Sequence, residues 1–127
     1  MNSIDAELQE LVTANRILAR EGVVDAFGHI SIRHPDRPDR YILSQSRAPE
    51  LVDVDDLMEY TLDGEPIDQQ GRTMYSERPI HGGIYESRND VMAVVHNHSP
   101  TVVPFCVTTT PLRPMFHLAA IIGEKLP

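Results

Sequence analysis

An α/β domain with an antiparallel-rich sheet and flanking helices is what this sequence predicts, and three observations carry it. An N-terminal stretch places its apolar residues at helical spacing. Two short stretches, His29–Arg33 and Leu57–Leu62, alternate polar with apolar residues, with a partner strand, Arg40–Ser44, between them. A later stretch, Val91–Val95, is apolar without a break and ends in two histidines. No repeat, low-complexity tract or linker divides the 127 residues, which suffice for one domain, 1–127, with its own core.

Taken in order, Ser3 suits the cap of a helix running to about Glu21. Ile4, Leu8, Leu11, Val12, Ile17 and Leu18 form its buried stripe, and Gly22 is the expected stop. His29–Arg33 and Arg40–Ser44 form a hairpin across His34–Asp39, an exposed turn in which two prolines forbid ladder pairing. Ser44–Glu50 is a polar loop at a strand end, where ligands are often held, although such loops are as often plain connections. Leu51–Asp56 has room for a turn of helix. Leu57–Leu62 then meets Asp63-Gly64, a strong hairpin signal. A helix over Glu77–Arg88 follows, with Ser76 as N-cap and Pro79 tolerated in the first turn. Val91–Val95 reads as a strand buried on both faces, closed by Pro100. Thr101–Val107 predicts a helix disturbed by Pro104, and Met115–Gly123 another. On that last helix His117 reads as a core histidine rather than a ligand. The sequence ends at Glu124–Pro127 just after it, as if the fold were interrupted.

The chemistry gathers around His96-Asn97-His98. Side chains two apart on a strand project to one side, so both imidazoles can converge on one point, and imidazole is a common ligand of first-row metals. An isolated His-x-His is more often two partly exposed histidines. Tyr75-Ser76-Glu77-Arg78-Pro79-Ile80-His81 changes the balance: it sets Glu77 at a helix start with His81 one turn on. Two imidazoles and a carboxylate make a catalytic metal site one ligand short of four. The set suits zinc first, with manganese or iron as alternatives.

Composition narrows the classes. The formal charge is −8, with 19 acidic against 11 basic residues, and no basic stripe marks a nucleic-acid footprint. One cysteine, Cys106, excludes an intrachain disulfide framework; it lies in an apolar run and reads as buried. There is neither a signal-peptide pattern at the N-terminus nor an apolar run near the ~18 residues of a membrane span, which points to a soluble cytoplasmic protein.

Gly28-His29-Ile30-Ser31, Asp63-Gly64, Ser76-Glu77, His81 and His96-Asn97-His98-Ser99-Pro100 resemble, in order and spacing, the class II aldolase/adducin family. The resemblance covers the chain from its first helix to about Gly123. It implies a three-layer α/β/α sandwich around a mainly antiparallel sheet, and commonly a homotetramer with active sites at subunit boundaries. It also implies a divalent metal, usually zinc, held by His96 and His98 and by a third histidine well downstream. Glu77 would be a ligand or an acid/base. No histidine here matches the third, so the resemblance is to the N-terminal part of a longer protein.

Two departures bear on substrate. Sugar-phosphate aldolases of the family carry Gly-Asn-Val-Ser and a glycine-containing loop, where this chain has His29 in place of the Asn and Ser44-Gln45-Ser46-Arg47 in place of the loop. An arginine fork suits a carboxylate, and without the glycine the backbone cannot approach a phosphate as closely. Asp25–His29 and Ser44–Leu51 look more like the family's decarboxylase branch, similar to 3-hydroxy-2-methylpyridine-4,5-dicarboxylate decarboxylase. The resemblance thus implies a metal-dependent lyase acting on a small hydroxy-aromatic carboxylate. Ser44, Ser46 and Arg47 would hold the carboxylate, with His29 and Arg78 as further substrate contacts. Retro-aldol cleavage of a hydroxy-acid or sugar phosphate is the enzymatic rival. A non-enzymatic, adducin-like assembly domain is the rival from another class, and the retained His96, His98 and Glu77 favour an enzyme.

Overall fold

The computed structural model describes residues 3–123. The described residues form two compact units, divided between Asn97 and His98. In the first, a helix α1 (Ser3–Arg20) precedes strands β1 (His29–Arg33), β2 (Arg40–Ser44) and β3 (Leu57–Thr61), then helix α2 (Arg78–Ser87) and strand β4 (Ala93–His96). The sheet has the order β3-β2-β1-β4, and every neighbouring pair is antiparallel.

Strand alternation puts one helix on each face, giving the three expected layers. Ile30 and Ile42 point to one side and pack with Leu11 and Val24 against α1. Tyr41, Leu43, Met58 and Tyr60 pack with Tyr75 and Tyr85 on the α2 side. His29 and Ser31 share that second face, as do Val94 and His96, because β1 and β4 pair His29 with His96 and Ser31 with Val94.

Helix α1 ends as the sequence expects. Gly22 takes φ +70°, and the Val23 amide donates back to the Leu18 carbonyl. The side chain of Ser3 lies outside the described residues, and so does the segment after Gly123. Asp25 then accepts from the amides of Phe27 and Gly28, both at 2.9 Å, and turns the chain into β1. After β3, Asp63-Gly64 makes the expected turn with Gly64 at φ +83°, and Tyr60 pairs with Pro66 in a short bridge. Two single 3-10 turns, Pro49–Leu51 and Val54–Asp56, occupy the connection that was expected to hold one turn of helix.

Two expectations for this unit are corrected in detail. Glu77, not Ser76, is the N-cap of α2, which begins at Arg78 with Pro79 in its first turn. The apolar run yields only four strand residues at a sheet edge, and Val95 is 44% exposed, so β4 is not buried on both faces. An edge strand has one neighbour to hide behind.

In the second unit, α3 (Val103–Cys106) is a single turn with Pro104 in its first turn, and Cys106 is exposed rather than buried. A helix of four residues cannot form the amphipathic face that would bury it. The second expected helix is a 3-10 segment, His117–Ile122, on which His117 is exposed beside the Phe116 ring instead of lying in a core. No helix among the described residues is long and apolar enough to cross a membrane.

Candidate metal centre and adjoining cavity

The site is built where β1, β4 and the start of α2 meet. Gly28 lets β1 begin close to β4, since a Cβ there would lie 2.7 Å from Val24 Cβ and 3.1 Å from the His96 carbonyl. The next residue, His29, therefore sits directly across from His96, and the two rings stack with centroids 4.7 Å apart.

Glu77 approaches from α2. Its side chain makes no capping bond, so the carboxylate reaches the sheet instead. Glu77 Oε2 lies 3.3 Å from His29 Nε2 and 3.4 Å from His96 Nε2. One donor atom from each of the three falls within 4.8 Å of the others. Ligand atoms roughly 2.0–2.1 Å from a tetrahedral zinc lie about 3.3–3.4 Å apart. Two imidazoles and a carboxylate at this spacing are a donor set of the kind that could hold a first-row divalent cation.

His29 carries a second layer of contacts. Its Nδ1 is 2.6 Å from His81 Nε2, and His81 Nδ1 is 2.6 Å from Ser31 Oγ. Ser31 Oγ in turn is 2.8 Å from the Tyr85 hydroxyl. Burial, with smaller contributions from His29 and His96, pushes the His81 pKa down to about 3, so this ring is neutral at ordinary pH. Burial likewise raises Tyr85 to about 12, although Ser31, Arg33 and the Val94 amide pull it partly back.

The helix that presents Glu77 and His81 is fixed at both ends. The Tyr41 hydroxyl donates to the Arg78 carbonyl at 3.0 Å. At the other end Arg33, nearly buried, donates to the carbonyls of Tyr85 at 2.7 Å and Arg88 at 2.9 Å, and lies over the Tyr85 ring. Those are C-terminal carbonyls without partners inside the helix, and a cation suits the negative end of its dipole.

Beside Glu77 opens a cavity of about 460 Å³, walled by Phe27, Ser46, Arg47, Met74, Tyr75, Ser76 and Glu77. Its loop is tied down: the Ser46 amide donates to the Thr73 carbonyl, and the Tyr75 hydroxyl donates to the Arg47 carbonyl. Arg47 reaches Asp56 at 3.2 Å and remains about half exposed. Another cavity, of about 470 Å³, lies on the α1 side against Leu11, Ile30 and Val95, away from the imidazoles.

The site residues expected from sequence thus fall into groups. Glu77 and His96 come together, and Ser46 and Arg47 line the adjoining cavity. His98 belongs to the second unit. Ser44 is buried on the face of β2 that carries Ile42, outside the cavity, and Arg78 donates to the Gly64 and Tyr75 carbonyls. Neither position is on the cavity wall.

His29, expected as a substrate contact, stands within the donor cluster itself. Its closeness to His96 depends on strand register, which no local pattern reveals. Ser31 and Tyr85 were missed, though Ser31 shares a face with His29 by simple alternation.

The chain has known relatives. The Class II Aldolase and Adducin N-terminal domain matches residues 9–127, and the chain belongs to that family. Among its relatives, decarboxylase tropJ of Talaromyces stipitatus is 37% identical over 122 residues, spanning 94% of this chain and 46% of that protein. The 3,4-dihydroxyphthalate decarboxylase of Arthrobacter keyseri is 30% identical over 128 residues, spanning 93% of this chain and 50% of that one. Among solved structures, the L-fuculose 1-phosphate aldolase from Glaciozyma antarctica superposes with a TM-score of 0.79 at 26% identity, covering 96% of this chain and 53% of the aldolase. The chain therefore spans about half the length of the relatives it matches.

Proposed function

We propose that the protein is a cytoplasmic, divalent-metal-dependent carbon–carbon lyase that decarboxylates a non-phosphorylated hydroxy-aromatic or heteroaromatic acid. The observation that carries this reading is the Glu77–imidazole cluster opening beside a cavity that holds Arg47. Two decarboxylases among the relatives support it, one of which acts on a dihydroxyphthalate.

Glu77 and His96 would hold the metal, zinc first and manganese or iron as alternatives, together with His98, which the family resemblance adds. A divalent cation bound there supplies Lewis acidity for the electron pair left behind when the carbon–carbon bond breaks. Arg47 offers a planar fork to the substrate carboxylate, with the Ser46 hydroxyl beside it. His29 stands against Glu77 on the side facing the sheet. As carbon dioxide leaves, the ring carbon needs a proton, and Glu77, which lines the cavity, would return one if it had first taken up a proton on release from the metal. The family resemblance makes the working unit a homotetramer.

Retro-aldol cleavage is the second reading, favoured by the fold it shares with the fuculose-phosphate aldolase. Both readings are tested together. Zinc content is measured by elemental analysis, and carbon dioxide release from hydroxy-aromatic acids is compared with aldehyde release from sugar phosphates. His96→Ala should lower zinc occupancy at least tenfold. Glu77→Gln should lower kcat more than a hundredfold, as expected when a positioned acid is removed. Aldehyde release without carbon dioxide would transfer the assignment to an aldolase. A wild-type protein indifferent to zinc, manganese and iron alike would end both.

A further inference from the structure

We infer that Tyr85, Ser31 and His81 form a buried hydrogen-bond chain that holds His29 as its Nε2–H tautomer, making His29 a donor to Glu77 rather than a metal ligand. The inference deepens the metal reading above by sorting donor from ligand within one cluster. At the spacing seen, His29 Nε2 could offer either a lone pair or an N–H, so the proton decides.

The direction of the chain follows from its far end. Tyr85 is completely buried, with its hydroxyl 2.8 Å from Ser31 Oγ. Its one side-chain hydrogen-bond partner among the described residues is Ser31 Oγ, so the phenol proton goes there. Ser31, having accepted from Tyr85, directs its own proton to His81 Nδ1. His81, neutral and with Nδ1 accepting, carries its proton on Nε2 and donates to His29 Nδ1. His29 is left with its proton on Nε2, facing Glu77 Oε2 at 3.3 Å.

The opposite direction fails at the Tyr85 end. It would leave the buried Tyr85 hydroxyl with no acceptor among the described residues. His81, Ser31 and Tyr85 thus act through His29 as positioning residues, and the donated hydrogen bond orients the Glu77 carboxylate.

Nitrogen-15 NMR of histidine-labelled protein reads which ring nitrogen bears the proton. His29 and His81 should both be Nε2–H, before and after addition of zinc, while zinc shifts the His96 resonances. Ser31→Ala and His81→Leu should each release His29 into a mixture of tautomers. His81→Gln, whose amide can still donate to His29 Nδ1, should restore the single form. Loss of the His29 Nε2 proton on adding zinc would overturn the inference. So would an unchanged His29 tautomer in Ser31→Ala, the milder substitution should His81→Leu fail to fold. A spectrum indifferent to zinc, with both rings as Nε2–H, would sink the zinc reading and uphold this one.

Discussion

Arg47 shows how much a single side chain's surroundings matter. Its guanidinium is anchored on one side by Asp56, whose carboxyl is opposed by burial but held below its ordinary pKa by the Asp53 amide, Gln45 and Arg47 itself. Arg47 also lines the cavity beside Glu77, where a planar fork suits a carboxylate. Arg47→Ala should therefore lower kcat/KM for a carboxylate substrate by more than tenfold, or about 1.4 kcal/mol. The change should leave zinc content unaltered, because Arg47 lies outside the donor cluster. Steady-state kinetics beside elemental analysis checks both halves. Loss of zinc together with activity would mean that Arg47 supports the fold rather than the substrate.

Among the elements, α2 bears most of the site, and its contact with the sheet is unusually close at one point. A Cβ on Gly82 would stand 1.9 Å from the Leu62 carbonyl oxygen, a backbone atom that cannot rotate away. The glycine is needed for close approach, which brings His81, its neighbour in the helix, to within 2.6 Å of His29. Gly82→Ala is expected to cost about 1–3 kcal/mol by pushing the helix off the sheet. Gly83 has open space about it, and Gly83→Ala should be neutral or stabilising by up to about 1 kcal/mol. Thermal melts of the two variants compare them directly. Equal effects would show that α2 can shift without penalty.

At the scale of the whole molecule, the buried histidine links stability to pH. The folded-state pKa of His81 lies at about 3, below its ordinary value of 6.5, so the unfolded chain binds the proton first as pH falls. Stability from this group is complete above about pH 6.5 and declines from there toward pH 3. Below pH 6.5, each unit costs up to about 1.4 kcal/mol from this ring alone. Asp56, with its lowered pKa, adds its loss only at more acid pH. His29 and His96 face the same ring and Glu77 faces them, so the variant must isolate one group. With a chelator present, Tm should fall between pH 7 and pH 5, and His81→Gln should flatten that slope. An identical slope in the variant would assign the acid sensitivity to its neighbours.

Local pattern alone determined the three alternating or apolar hairpin and strand segments, the extent of α1 with its Gly22 stop, and the Asp63-Gly64 turn. All depend on neighbours within a few residues, where periodicity and backbone sterics act directly. The same locality made Glu77 and His96 visible as donors, because each stands at the end of an element whose type can be read. What local pattern missed depended on register, depth and the length of the surviving element. Pairing of His29 with His96 brought a presumed substrate contact into the donor cluster. The fold of β2 turned Ser44 toward α1 rather than the cavity, and the docking of α2 engaged Arg78 with backbone carbonyls. The exposure of Val95 and Cys106 was likewise hidden, since burial is a property of what lies across from a residue. Side-chain chemistry could be listed from the sequence, but which groups meet within 3 Å was decided only by strand pairing and by a helix pressed close enough to leave no room for a Cβ.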